Sequence, residues 1–512
     1  MSYEIAVSSL EQRKFTQSIV NFMKHLTEEP RHVKSWVGIG IAYYNLNNIF
    51  EALQNLEVAL EIDPNDPSAL ISAAVCYSQL GMHEKASNLA NLAAELAPHH
   101  AETWANRAYI CSANTTDRKK IKRLHEDWGQ RFADPITIKC NKLLKKRKEK
   151  KKINVGFVSG DLRQHSVLYF MAPIFEYYDK NSFNFSIFQT LPEDKQSDFI
   201  KPFVDNWFNV ENLNNDHLYE LIQSKKIDIL IDLSGHTLGN RLLVFAMRPA
   251  PLQMTWFGYL NTLGMKAMDY RITDWSMDPP GSEEFYTEKL LRLDCMACYA
   301  PPIKIELPDF LPSDKNGYTT LISMNHWRKL NDELLECWQK ILSLNPNTKL
   351  LIIGQNESDD PESASLIKRF EKYPLLYKNL ILKPRMKIED FMRLSFTADF
   401  ALDTYPISGG TTTYHSLWMG LPIVTRDSVN PASASTASTL KGLGLTSCVA
   451  KDEEQYVSIA TRLINDKDEL KKLRSSTRTL LSKSALMQYG DRVKEFQEKI
   501  STKFYEQSCT SS

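Results

Sequence analysis

Residues 1 to about 115 repeat themselves with a step of 34. Trp36, Leu70 and Trp104 stand 34 apart, as do Pro30, Pro64 and Pro98; Tyr43 pairs with Tyr77 and Ala52 with Ala86 at the same step. A helical hairpin of that length covers its apolar face only with the next hairpin, so the segment must stack into a solenoid. Residues 1–30 read as a degenerate first unit and 103 onward as a partial fourth. Such stacks present a concave face for peptides or a docking surface, and rarely chemistry.

Beyond the repeats the pattern changes. Residues 118–132 predict one amphipathic helix, and 141–152 form a basic run. Together they make 116–152 a helical basic linker, and the basic run, with no aromatic residues interleaved among its charges, reads as a solvated face and not as a nucleic-acid site. From Ile153 strands and helices alternate: 153–159, 183–190, 227–233, 254–258 and 270–274 read as buried strands. A second series follows at 320–324, 349–353, 380–382, 398–402 and 421–425, with helices opening at Asp332 and Ile388. Residues 301–315, rich in proline and polar side chains, join the two series. The alternation predicts two doubly wound parallel sheets, over 153–300 and 317–485, with a ligand in the crevice between them. Functional loops should follow the strands at their carboxyl ends, where His165 and His236 fall. Residues 486–512 read as a C-terminal helix and tail.

Within the second series, Asp403 to Thr425 has the most local meaning. Gly409-Gly410 allows a tight turn after a buried strand, Thr411, Thr412 and Thr413 offer hydroxyls, and 414–419 looks helical. Strand, glycine turn and hydroxyl-rich helix start make a cradle for a phosphate, through unpaired amides and the positive end of the helix dipole. An ordinary turn capped by threonine has the same spacing. Asp399 and Asp403 read as structural caps. No GxxxxGK[ST] loop occurs, and no GxGxxG follows the first strand of either half, so ATP hydrolysis and hydride transfer lack their usual phosphate loops.

Charge excludes other classes. With 62 basic and 62 acidic residues the chain has no net field for nucleic acid or membranes. The eight cysteines are scattered, which suits a reducing compartment, and Cys295-x-x-Cys298 has no second pair at zinc spacing. The first residues are polar and no long apolar run occurs, so the expectation is a cytoplasmic protein, or one secreted into a host cell, without a membrane span.

Several blocks, in fixed order, resemble the O-linked N-acetylglucosamine transferases and their bacterial and SPINDLY-type relatives. They are Val155-Gly-Phe-Val-Ser-Gly-Asp-Leu-Arg-Gln-His165, Asp228-Ile-Leu-Ile-Asp-Leu-Ser-Gly-His-Thr237, Arg248-Pro-Ala-Pro-Leu-Gln253 and Trp256-Phe-Gly-Tyr259. Met268-Asp-Tyr-Arg-Ile-Thr-Asp274, Tyr286-Thr-Glu-Lys-Leu290 and Gly409-Gly-Thr-Thr-Thr413 with Leu417-Trp-Met-Gly420 continue the series. That resemblance implies tetratricopeptide repeats over 1–115 followed by an α/β GT-B core of two Rossmann-like domains. It implies an inverting, metal-independent transfer of N-acetylglucosamine from UDP-N-acetylglucosamine to Ser/Thr of proteins, with no cofactor. GDP-fucose or UDP-glucose as donor, or a non-catalytic scaffold, are the alternatives. The repeats would present acceptor proteins or tie two copies of the chain together.

By the same resemblance Lys329 is the lysine that neutralises the diphosphate. Gly409, Gly410, Thr411 and Thr412 hold phosphate, and Gly258, Asn325 and His326 line the nucleotide sugar. His165 matches the histidine beside the reacting sugar, a general base or acceptor positioner, since imidazole titrates near neutrality; a structural loop histidine is the other reading. His236 lines the cleft or serves structure, and Phe391 stacks on the nucleotide base or fills a core. His415 stands where relatives carry an Asp or Glu for the ribose, and Gly410 where animal enzymes carry histidine. Leu260-Asn261, Ala434 and Trp207 depart as well.

Overall fold

The computed structural model describes residues 2–140, 152–354, 367–428 and 430–510. The basic run at 141–151 lies outside them. The chain forms two compact units: residues 1–116 with 326–339 and 352–385, and residues 117–325 with 340–351 and 386–512.

The repeat segment is all helical. Hairpins α1 (Ser2–Glu11) and α2 (Phe15–Glu28), α3 (Val33–Asn45) and α4 (Ile49–Ile62), and α5 (Pro67–Gln79) and α6 (His83–Leu96) precede α7 (Ala101–Ser112). The small residues of the period are contact points. Ala52 and Ala86 are fully buried, and a Cβ on Gly38 would lie 2.4 Å from the Phe22 ring. The recurring tryptophans tie each helix to the turn before it. Trp36 Nε1 donates to Pro30 O at 2.9 Å, and Trp104 Nε1 to Ala97 O at 3.2 Å.

The expected 118–132 helix is present but contains a π turn and continues to Cys140. α8 (Arg118–Trp128) runs into a π-helical turn at Gly129–Ala133, and α9 (Asp134–Cys140) follows. The turn coincides with a close approach. A Cβ on Gly129 would lie 1.8 Å from Gly264 O, and one on Gly264, itself at φ +74°, 2.2 Å from His125 C. Such mid-helix π turns mark places where packing overrides the regular ladder.

The first sheet has seven parallel strands: β1 (Ile153–Ser159), β2 (Phe183–Gln189), β3 (Asn206–Asn209), β4 (Ile229–Asp232), β5 (Leu252–Thr255), β6 (Tyr270–Asp274) and β7 (Lys289–Leu293), in the order 3-2-1-4-5-6-7. The second comprises β8 (Thr319–Ser323), β9 (Thr348–Ile353), β10 (Leu380–Lys383), β11 (Phe400–Leu402), β12 (Ile423–Arg426) and β13 (Val449–Ala450), in the order 10-9-8-11-12-13. Renumbered within its half, the second order is again 3-2-1-4-5-6, that of a doubly wound dinucleotide-binding sheet. Buried apolar runs form the strands, as sheets covered on both faces require. The terminal helix Tyr489–Thr510 is no free tail: Val493, Phe496, Ile500 and Phe504 enter the core of the first sheet, with Phe496 stacked on Trp256 at 4.7 Å.

Candidate active site

Both halves build their key loop with one device. In the first, Asp232 at the end of β4 is fully buried; its carboxylate accepts Gly235 N at 2.9 Å, Ser234 N at 3.2 Å and Thr255 Oγ1, from β5, at 2.9 Å. In the second, Asp403, just past β11, accepts Gly409 N at 2.8 Å and Thr425 Oγ1, from β12, at 2.7 Å. Each strand-end carboxylate thus accepts from the main chain of the turn that follows, two amides for Asp232 and one for Asp403, and locks it to the next strand. Burial pushes Asp232 up to about 6, against the opposing pull of its donors.

The second turn is the better cradle. Asp403 Oδ1 also accepts Asn325 Nδ2 at 2.8 Å, and Asn325 Oδ1 accepts Thr412 Oγ1 at 2.9 Å. Thr436 Oγ1 donates to Gly409 O at 3.2 Å, so at the 2.7 Å contact between Thr413 and Thr436 the proton comes from Thr413. Two of the three hydroxyls expected to meet a phosphate are therefore committed inside the turn. Asn325 is buried with both amide atoms engaged, which makes it a support for Thr412. The helix begins at Thr411, three residues before the sequence pattern places it, and runs to Trp418. Its first amides, at Thr411 and Thr412, precede the first i→i−4 bond, and a Cβ on Gly410 would meet no atom within 4 Å. The donors on offer are the main-chain N–H groups of the first helical turn, with the half-buried Thr411 beside them.

The histidines divide by burial. His165, on the loop after β1, keeps 43% of its side chain exposed, with Asp161 Oδ1 at 3.7 Å from its Nδ1. Burial lowers its pKa while Asp161 opposes the shift, so the ring is neutral and basic at pH 7. Asp161, whose own pKa burial raises, lies within the first block of resemblance, and only the folded loop pairs it with His165. His236 is only 3% exposed. Its Nε2 donates to Leu263 O at 3.0 Å, and Trp128, His125 and Tyr259 surround the ring at centroid distances of 4.7, 5.1 and 5.7 Å. His125 Nδ1 donates to Ile121 O at 2.7 Å, so its Nε2 accepts from the Tyr259 hydroxyl at 2.6 Å. Burial holds His236 at about 3 and His125 at about 4. This is a packing cluster fastening α8 to the first sheet, and His236 does not reach open solvent. Gly258 permits close packing too: a Cβ there would lie 1.7 Å from Leu233 O.

His415 is likewise 3% exposed; its Nδ1 is 2.7 Å from the Tyr299 hydroxyl, and burial lowers its pKa to about 3. Phe391 is half-buried, 6.5 Å from His415 between ring centroids. Lys329 ends a 3₁₀ turn, Trp327–Lys329, that His326 caps: His326 Nδ1 accepts Arg328 N at 3.2 Å. Desolvation, then Arg328, Lys329 and Arg385, lower the His326 pKa, leaving a neutral ring with its proton on Nε2. Among the described residues no group of three His, Cys, Asp or Glu side chains could hold a metal ion, and no helix is long and apolar enough to cross a membrane.

The model of Glycosyl transferase family 41 matches residues 110–296 and 311–496. The chain belongs to that family. A tetratricopeptide repeat model matches residues 47–108. The chain is 33% identical over 374 residues to SPINDLY of Petunia hybrida, named a probable UDP-N-acetylglucosamine–peptide N-acetylglucosaminyltransferase, covering 72% of this chain and 40% of that protein. It is 26% identical over 363 residues to SEC of Arabidopsis thaliana, which carries the same enzyme name, covering 67% of this chain and 36% of that protein. The chain therefore spans about 40% of the length of the first curated relatives it matches. Among solved structures, a lysine-to-methionine mutant of the Thermobaculum terrenum O-GlcNAc transferase superposes with a TM-score of 0.90 at 29% identity, over 100% of this chain and 99% of that one. The family match begins at residue 110, so the family unit includes α8 and its histidine cluster.

Proposed function

We propose that the chain transfers N-acetylglucosamine from UDP-N-acetylglucosamine to Ser or Thr hydroxyls of proteins, with inversion and without a divalent metal. The observation that carries this is the turn at 409–412, where a buried carboxylate holds the Gly409 amide and the first helical amides, at Thr411 and Thr412, come before the first i→i−4 bond. When the glycosidic bond breaks, charge grows on the departing diphosphate, and fixed dipoles aimed at that charge lower the barrier. Main-chain amides of Thr411 and Thr412 take phosphate oxygens, and Lys329 supplies the cation. The acceptor hydroxyl attacks the anomeric carbon from the opposite face. His165, neutral and half-exposed beside Asp161, removes its proton directly or through water. The repeats present the acceptor protein. The relatives' names and the tetratricopeptide match support both halves of this reading.

The test is incubation with UDP-N-acetylglucosamine, GDP-fucose or UDP-glucose in excess chelator, with acceptor lysates and detection of released nucleoside diphosphate. Release from the first donor alone supports the proposal. Release from GDP-fucose alone keeps the mechanism and changes the donor, and release from none points to a scaffold.

A further inference from the structure

The backbone that carries Lys329 is gripped by the repeat segment. His83, the first residue of α6, places Nε2 3.0 Å from Arg328 O. A carbonyl only accepts, so the proton is on Nε2; Nδ1 of the same ring is buried with no partner. Gln79, at the end of α5, accepts Arg328 NH1 at 3.2 Å. Between them Gly81 adopts φ +69°, and a Cβ there would come within 3.1 Å of Arg328 O and 3.3 Å of Leu330 O. The turn inside the third hairpin thus lies directly on the 328–330 backbone.

What that contact fixes is one peptide plane. The unit joining Arg328 to Lys329 has its C=O bonded to His83 and its N–H bonded to His326 O at 3.0 Å. With both ends pinned, the plane cannot flip, and the direction of the Lys329 Cα–Cβ bond is set. We infer that His83 is a positioning residue for Lys329: the repeat turn 79–83 holds the backbone from which the diphosphate-neutralising side chain projects. The inference rests on the role proposed for Lys329. It makes the third hairpin part of the donor site's support as well as a surface for partners.

The experiment compares transfer kinetics and uridine diphosphate affinity for wild type, His83→Ala, His83→Gln, Lys329→Ala and the double variant His83→Ala/Lys329→Ala, with thermal melting of each. Loss of one supporting hydrogen bond of ~1 kcal/mol corresponds to about fivefold. His83→Ala should lose about that factor in kcat/KM and in uridine diphosphate affinity, and His83→Gln, whose amide reaches the same carbonyl, should recover most of it. In the Lys329→Ala background, removing His83 should change affinity no further. Equal losses in both backgrounds overturn the inference, because a merely structural histidine would act independently of Lys329. Wild-type behaviour of a folded His83→Ala, with Lys329→Ala inactive, overturns it while sparing the diphosphate reading. Full activity of Lys329→Ala overturns both.

Discussion

Asp403→Asn tests the scaffold of the proposed phosphate cradle. Asp403 is 3% exposed, and its two oxygens receive three donors: Gly409 N, Asn325 Nδ2 and Thr425 Oγ1. An amide of the same shape keeps one acceptor oxygen and turns an NH2 group toward at least one of those donors. A hydrogen bond to a charged group contributes ~1.5–3 kcal/mol, and a buried donor left facing another adds its own desolvation cost. The substitution should therefore cost about 2–3 kcal/mol, the low end of that sum, because the turn can relax toward solvent. In a domain of this size that lowers the melting temperature by roughly 4–12 °C. The same change frees Asn325 and with it Thr412, so uridine diphosphate affinity should fall together with stability. Differential scanning fluorimetry with and without uridine diphosphate reads both quantities. An unchanged melting temperature, or a lowered one with undiminished ligand-induced stabilisation, would refute the claim that this carboxylate organises the cradle.

The neighbouring glycines should respond oppositely. A Cβ on Gly409 would lie 2.4 Å from Thr413 Oγ1, so Gly409→Ala must displace the turn and reduce nucleotide affinity, whereas Gly410→Ala enters open space and should melt within about 1–2 °C of wild type. Stability should also fall on mild acidification. His125 and His236 have folded pKa values of about 4 and 3, below the ~6.5 of an unfolded histidine, so the unfolded chain takes up protons first. The loss begins as pH drops through 6.5 and reaches about 2 kcal/mol per ring at pH 5, before most carboxylates titrate. A melting temperature flat between pH 7 and pH 5 would count against the buried cluster.

Much of the architecture is legible in the sequence because its signals are periodic. The 34-residue step of Trp36, Leu70 and Trp104 survives translation into hairpins, and mostly apolar, buried strands such as β1 and β4 announce themselves. Elements without such a signal go unseen: β3 is partly exposed, and the helices Pro431–Gly442, Glu453–Asn465 and Lys467–Lys483 are not assigned from the sequence. The terminal helix is legible as a helix, but amphipathicity does not say what covers its apolar face, so its packing against the first sheet is not. At the site, the Gly-Gly-Thr-Thr-Thr run marks the right turn but not the fate of its hydroxyls, since Asn325 and Thr436 lie 87 and 23 residues from their partners. Histidines are least legible: His165, His236 and His415 look equally chemical in the sequence, and only packing separates the half-exposed ring from the two enclosed ones.

A crystal structure of the complex with uridine diphosphate, grown in chelator, tests the central claim most directly. Phosphate oxygens should lie within hydrogen-bond distance of Thr411 N and Thr412 N. A nucleotide bound away from the 409–412 turn, or one that appears only when manganese is added, would contradict that claim.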